Sequence, residues 1–428
     1  MKYILSFSVL IFLFSCKQQT VTSAKDYESY LNPKHLIEKI ELQKNDLSFW
    51  QNRLQKDTGS YVDMLEIGYT HLGLFHLSGD ITSLKTGDSL IKRASEKLNH
   101  TLPNIHQALS QVAITQHQFK NALHHLQQAS EKGSPYTNAL LSFDARMETG
   151  EYEVANNQIN GLRDKKSFDY LIRKAKYEDH KGNLEGAIEL MEQAFEKVKD
   201  ANVTSLYCWA MANLGDMYGH AGRIDDSYKA YLQVLEKDPS YLYALKGIAW
   251  IAYSHDKNTN EAKRILNFIL THSNMPDLYL TLAEIEEFEG NENAGKAHMQ
   301  KFLSTVQQAA YSDMYNKYLI EVYASQNKLN EALRIAEKEV SNRPTPETYS
   351  LLSWIYLLKG EKQKAFSIYK LHVAKKSFEP DVLYKGGLIL AANGQKVEAK
   401  KLFNECLDAA YELGPVLSEE IRQQRSKL

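Results

Sequence analysis

Residues 208–241 read CWAMANLGDMYGHAGRIDDSYKAYLQVLEKDPSY. Apolar side chains recur at helical spacing on both sides of Gly222, so two amphipathic helices meet at a glycine turn. Pro239 closes the unit, because proline ends a helix rather than continuing it. A hairpin of this length cannot bury its own apolar faces, but a stack of hairpins can.

The same register extends in both directions. The small residue of the second helix recurs as Ala122, Ala155, Ala187, Ser227, Ala262, Gly295, Ala332, Ala365 and Ala399, at intervals of 32 to 40 residues. The inter-helix turn carries Gly150, Gly182, Gly222, Gly290, Gly360 and Gly394, with His117, Asp256 and Asn327 in the other three units. Small residues also stand where the first helix crosses the second: Ser110, Ala175, Gly215, Ala249, Ala283, Ser353 and Gly387, with Phe143 and Ile320 breaking the series. Small residues let antiparallel helices approach toward the near end of the 8–10 Å range. Large residues such as Leu126, Ile159, Met191, Tyr231, Leu266, Met299, Tyr369 and Phe403 then fill the space between hairpins.

In the best unit, Leu214, Gly215, Tyr218, Gly222, Tyr231 and Pro239 resemble the tetratricopeptide pattern, with Ser227 in place of the usual alanine. The resemblance implies an all-α, right-handed solenoid of about nine to ten hairpins. Nine units run over 103–413. Residues 34–102 read as an N-terminal helix and a degenerate hairpin, with Tyr61 to Gly79 and Leu84 to Asn99 as its two helices. Gly414-Pro415 stops the array, and the polar segment 414–428 is expected to solvate the end of the stack as a capping helix.

The N-terminus carries a different signal. Lys2 precedes an apolar run from Tyr3 to Phe14, too short for a membrane-spanning helix and suited to a secretory signal. Leu13-Phe14-Ser15-Cys16 resembles a bacterial lipobox, although Phe14 is larger than the residue usual there. The resemblance implies cleavage after residue 15 and a lipid on Cys16. Residues 16–33 then read as the lipidated cysteine and a flexible tether. Two or three acyl chains anchor stably where one does not. Lys17, and not Asp, follows the cysteine, so the expected location is the cell envelope, in the outer membrane where there are two.

Composition excludes several classes. Without residues 1–15, 50 basic side chains face 53 acidic ones, and no basic stripe interleaved with aromatics occurs, so the sequence gives no support to nucleic-acid binding. Only Cys208 and Cys406 remain beside Cys16, a poor disulfide framework. No phosphate-binding loop, zinc-protease, nucleophile-elbow or C-x-x-C motif occurs. No enzyme activity, cofactor or metal is therefore expected. His100, His106, His117, His124 and His125 crowd together without the i, i+4 spacing of a helical metal site, and read as exposed or turn residues. Glu284, Glu286, Glu287 and Glu289 read as a solvated helical face.

In the tetratricopeptide family the first helices line a concave groove that holds protein or peptide ligands. Carried over by register, the groove positions are Lys176, Asp179, Trp209, Asp216, Tyr243, Lys246, Trp250, Tyr253, Glu284, Glu287, Phe288, Lys317, Glu321, Trp354 and Tyr384. Trp and Tyr are enriched at interface hot spots, and Trp209, Trp250 and Trp354 read as an aromatic strip. The expected function is a membrane-anchored scaffold binding a protein or peptide. The alternative is glycan capture on the groove aromatics, as in SusD-type uptake lipoproteins, which unlike this chain carry a long region outside their repeats. Replacing Cys16→Ser is expected to release the protein from membranes; unchanged membrane partitioning in fractionated cells contradicts the anchor.

Overall fold

The computed structural model describes residues 20–129 and 132–428. The expected signal peptide and the lipobox Cys16 lie outside the described residues. A short helix α1 (Ala24–Tyr27) and a long α2 (Lys34–Lys56) precede ten helical hairpins. These are α3 (Tyr61–Ser78) with α4 (Ile81–Lys97), α5 (Pro103–Thr115) with α6 (Phe119–Ala129), α7 (Pro135–Glu148) with α8 (Tyr152–Asn160), and α9 (Phe168–His180) with α10 (Leu184–Val198). Then come α11 (Thr204–His220) with α12 (Ile224–Lys237), α13 (Leu242–Trp250) with α14 (Thr259–His272), and α15 (Leu278–Phe288) with α16 (Glu292–Val306). The last are α17 (Asn316–Ser325) with α18 (Leu329–Asn342), α19 (Pro346–Leu358) with α20 (Lys362–Ile368), and α21 (Pro380–Ala392) with α22 (Lys396–Asp408). A final segment, α23 (Ala410–Ser426), follows as two helices that meet at a kink at Gly414, and no strand occurs among the described residues. The fold is an all-α solenoid of tetratricopeptide type.

Local chemistry sets the helix ends. Proline begins α5, α7, α19 and α21, where its missing N–H costs nothing. Ser60, Asp80, Ser134 and Ser167 accept hydrogen bonds from first-turn amides, and Thr345 with Thr348 forms a reciprocal capping box. The turn residue between paired helices is left-handed in every unit from α5 to α22. Glycine fills it in six units, His117 and Asn327 in two. In the unit of α13 and α14 it is Lys257, with φ of 57°, and not Asp256 as the register suggested. The cause is a π-helical turn over Ile251–His255, which adds one residue to the first helix and advances the turn.

The packing rows follow the register. All nine small residues of the second helices are buried, as are Phe143 and Ile320, which simply occupy their crossing points with larger side chains. Tyr231 shows how tight the stack is. Its ring lies between Gly215 of its own hairpin and Gly247 of the next, where added Cβ atoms would meet ring carbons at 2.7 and 2.3 Å.

The hairpins wind into a coil that meets itself after about six units. The Asn274 amide donates to the Ser78 carbonyl at 2.6 Å. Asn342 Nδ2 donates to the His117 carbonyl at 3.0 Å, and Arg343 pairs with Glu148 at 2.5 Å. Pro344 covers Gly150, and the Phe378 ring covers Gly182. Turns of the first coil thus abut inter-hairpin loops of the second.

Both termini depart from expectation. The segment read as a tether is docked over its described part. Val21 and Thr22 amides donate to Asp256 at 2.9 and 2.8 Å, Tyr27 is fully buried, and its hydroxyl reaches Glu261 at 2.8 Å. Polar Thr22 and aromatic Tyr27 have partners waiting on α12–α14, which a local reading of 17–33 does not see. The C-terminal helix does more than solvate an end. Ile421 and Ser418 are buried, and α23 packs on α21 and α22 while its first turn reaches across to α11, the π-helical turn and α15.

Gly247→Val forces the Tyr231 ring out of its slot. It is expected to destabilise the protein by about 2 kcal/mol, the usual scale of overpacking, read as a lowered denaturant midpoint. An unchanged midpoint contradicts the close contact.

Candidate functional site

The first helices line the inside of the coil, as the register requires, and the groove residues fall into three neighbourhoods rather than one strip. The division follows from the coil returning on itself.

The first neighbourhood belongs to α5–α11 and is open. A cavity of about 620 Å³ is lined by Asp144, Arg173, Lys176, Asp179, Trp209, Asn213 and their neighbours. Trp209 is 39% exposed and meets Phe168 edge-on at 5.9 Å. Charges around it are paired: Arg173 with Asp144 at 2.6 Å and Lys176 with Glu148 at 2.8 Å. Burial acts to raise the Glu148 carboxyl, but Lys176 and Arg343 outweigh it and hold the group at about 2. Asp179 has the opposite balance. Burial raises it, and the cationic pull of His220 and His180 does not compensate.

The second neighbourhood is partly filled by the chain itself, around a remaining cavity of about 400 Å³ lined by Asp216, Tyr243, Lys246 and Trp250. Trp250 Nε1 and Ser254 Oγ both donate to the Tyr411 carbonyl, at 3.1 and 2.6 Å. Gly414, at φ 76°, brings the backbone so close that a Cβ would stand 2.5 Å from a Glu284 oxygen and 3.1 Å from the Trp250 ring. Here glycine is needed both for its left-handed backbone and for its lack of a side chain. Tyr253 is fully buried, donates to Glu284 at 3.0 Å and meets Phe288 edge-on. Asp216 accepts from Tyr231 at 2.5 Å and from Tyr243 at 2.8 Å, and Lys246 pairs with Asp277 at 2.6 Å. Trp250, Tyr253 and Glu284 therefore form the seat of α23, not a free ligand surface. Glu287 and Phe288 border a cavity of about 750 Å³ beside α23.

The third neighbourhood lies in the second coil. Lys385 is buried, pairs with Asp381, reaches Glu321 at 3.2 Å and lies over the Trp354 ring at 5.2 Å. Lys317 joins the same Asp381 at 3.6 Å. Tyr384 donates to Glu420 of α23 at 2.5 Å. Trp354 is thus half-buried and walls a charge network whose Lys385 is buried and whose Lys317 is exposed, worth something as a cation–π contact.

Two readings of side-chain clusters change. The Glu284 group is a solvated face at Glu287 and Glu289 but not at Glu284 and Glu286. Burial pushes Glu284 up to about 7 against the Tyr253 hydrogen bond, and Glu286 is buried with Lys263 at 3.2 Å. The histidines are not all exposed: His106 is 2% exposed, with ring centroids of His100 and His125 at 5.9 and 5.8 Å. Cys208 and Cys406 are both buried, and burial raises their thiols to about 11 and about 12, as inert packing groups. Helix periodicity could have found Asn213, one turn past Trp209. Glu148 with Arg343, and Tyr411 on Trp250, join residues 195 and 161 positions apart, and no local signal marks them.

No protein-family model matches the chain, and no curated protein matches it. Among solved structures the chain is similar to a tetratricopeptide repeat protein from Parabacteroides merdae, with 18% identity over 60% of this chain and 97% of that one, at a TM-score of 0.35. It is also similar to the human IFIT1 dimer with m7Gppp-AAAA, with 16% identity over 76% and 75% and a TM-score of 0.47. Yeast Tom70 aligns at 12% identity over 94% and 90%, with a TM-score of 0.35. These likenesses are distant, and the fold assignment rests on the hairpins themselves.

Glu284 sets a pH dependence. Its folded pKa lies near 7, above the ordinary 4.5, so the folded state binds the extra proton. Stability therefore falls as pH rises from about 4.5 to 7 and stays at the lower level above that. Glu284→Gln is expected to flatten that part of the decline in denaturant titrations at pH 5 and pH 8. A decline identical to wild type contradicts the assignment.

Proposed function

We propose that this chain is a lipid-anchored scaffold of the bacterial cell envelope that holds a protein or peptide partner in the open compartment around Trp209. The observation that supports it is the contrast among the groove tryptophans. Trp250 is covered by α23 and Trp354 by Lys385, while Trp209 stays exposed over a cavity of about 620 Å³. A large aromatic with a polar handle, ringed by charge pairs, suits the anchor of an extended or helical segment. The ion pairs Arg173–Asp144 and Lys176–Glu148 would orient such a segment more than they would tighten it. Glycan capture needs neighbouring aromatic faces on which sugar rings stack; Trp209 and Phe168 stand nearly perpendicular, at 74°, and offer no such pair of faces, which favours the peptide reading. The fold and the site assign no catalytic step. The lipid on Cys16, followed by Lys17, places the scaffold in the outer membrane in this reading.

The test compares Trp209→Ala with Trp354→Ala, each with a photo-crosslinking residue at Asn213. Envelope partners captured by the wild type are expected to fall at least tenfold with Trp209→Ala and to persist with Trp354→Ala. Equal capture by all three proteins, or a crosslinked product that is RNA or glycan rather than polypeptide, contradicts the proposal.

A further inference from the structure

The way the N-terminal segment docks fixes which face of the solenoid meets the membrane. The body begins at the turn edge of the coil, the edge formed by the helix-to-helix turns within hairpins. Val21 and Thr22 are held by Asp256, in the turn between α13 and α14, with three hydrogen bonds of 2.6 to 2.9 Å. Tyr228 adds a fourth, accepting from the Ser23 amide at 3.1 Å. Tyr27 and Arg264 continue the clasp through Glu261 and Glu28. Five residue steps separate Cys16 from Val21. Even fully extended they span no more than about 18 Å, roughly the length of a twelve-residue helix. A free tether of 18 residues would let the body turn at will; five steps to a clasped residue do not.

We infer that the turn edge of the later hairpins, α15 to α22, lies against the lipid surface, and that the opposite loop edge, which carries residues 161–167 and 199–203, points away from it. This rests on the lipidation of Cys16 proposed above. The occupant of that edge is the bilayer holding the anchor, because Val21, five steps from Cys16, is clasped at that edge. The edge fits such a neighbour. A Cβ at Gly290, Gly360 or Gly394 would meet nothing within 4 Å, as at Gly222, whereas Gly150 and Gly182 of the first coil are covered by the second. Leu358 is 42% and Val397 81% exposed beside those open turns, with Lys362 and Lys396 next to them. Glu361 and Glu398 keep the edge close to neutral, so attachment and not charge sets the orientation. The consequence for function is that Trp209, near the loop end of α11, faces the side from which a soluble partner arrives.

The test uses the lipidated full chain in vesicles of phosphatidylethanolamine and phosphatidylglycerol carrying brominated acyl chains. A fluorophore is placed by Val397→Cys on the turn edge or by Val203→Cys on the loop edge; the native Cys208 and Cys406 are buried and do not compete. Quenching at 397 is expected to exceed that at 203 several-fold. Insertion of twenty Gly/Ser residues between Gln19 and Thr20 is expected to erase the difference while the protein still floats with the vesicles. Equal quenching at both sites in vesicle-bound protein overturns the orientation and leaves the anchor standing. Protein that fails to float, with Cys16→Ser indistinguishable from wild type, overturns the anchor and the orientation together.

Discussion

The edge contact between successive coils, centred on the pair of Glu148 and Arg343 at 2.5 Å, is the constraint on which the rest of the architecture depends. A solenoid whose repeats touch only their neighbours has a groove open along its length. Here the loop 342–345 meets the turns at His117 and Gly150, and Arg343 adds a contact with the Phe119 ring at 5.2 Å. The return brings charged side chains into a shared interior, where each must find a partner or shift its protonation. Glu148 has Lys176 and Arg343 and is held at about 2. Burial, and then the carboxylates of Glu412, Asp179 and Glu347 about it, push Glu379 up to about 7. Removing one member of such a pair exposes the other to an uncompensated environment.

Closure also decides what is left for function. Groove positions of the central hairpins seat Tyr411 and Gly414, and those of the second coil lock Lys385 between Asp381, Glu321 and Trp354. A compartment that no later hairpin lines lies around Trp209. Both termini take part in the same economy of surfaces. The N-terminal segment seals the outer side of α12 and α14, and α23 seals the inner side of α11 to α15. Neither end is a loose appendage over its described length.

What the sequence made legible is what depends on neighbours in sequence. Period, turn position and the buried row from Ala122 to Ala399 all come from contacts within a hairpin or to the next. Even the one slip, Lys257 for Asp256, has a local cause in the π-helical turn, where one extra residue displaces the register. The groove assignment placed its residues on first helices, with Asp216 on α11 and Tyr243 and Lys246 on α13. Its failure was to treat them as one exposed strip. Whether Trp250 is open depends on a carbonyl 161 residues away, and burial, to which the close Gly414 backbone contributes, pushes Glu284 up to about 7. Nothing in the pattern around residues 250 or 284 encodes those neighbours. The same holds for Val21 and Thr22, whose partner Asp256 lies more than 230 positions on.

The central claim, that the coil closes on itself, is tested most directly by a spin–spin distance across the junction. Labels at the exposed positions Lys181 and Lys376, introduced as Lys181→Cys and Lys376→Cys, flank the contact of Gly182 with Phe378. Closure predicts a single short and narrow distance distribution in the dilute monomer. A broad distribution centred at long distance, as in an open superhelix, contradicts it.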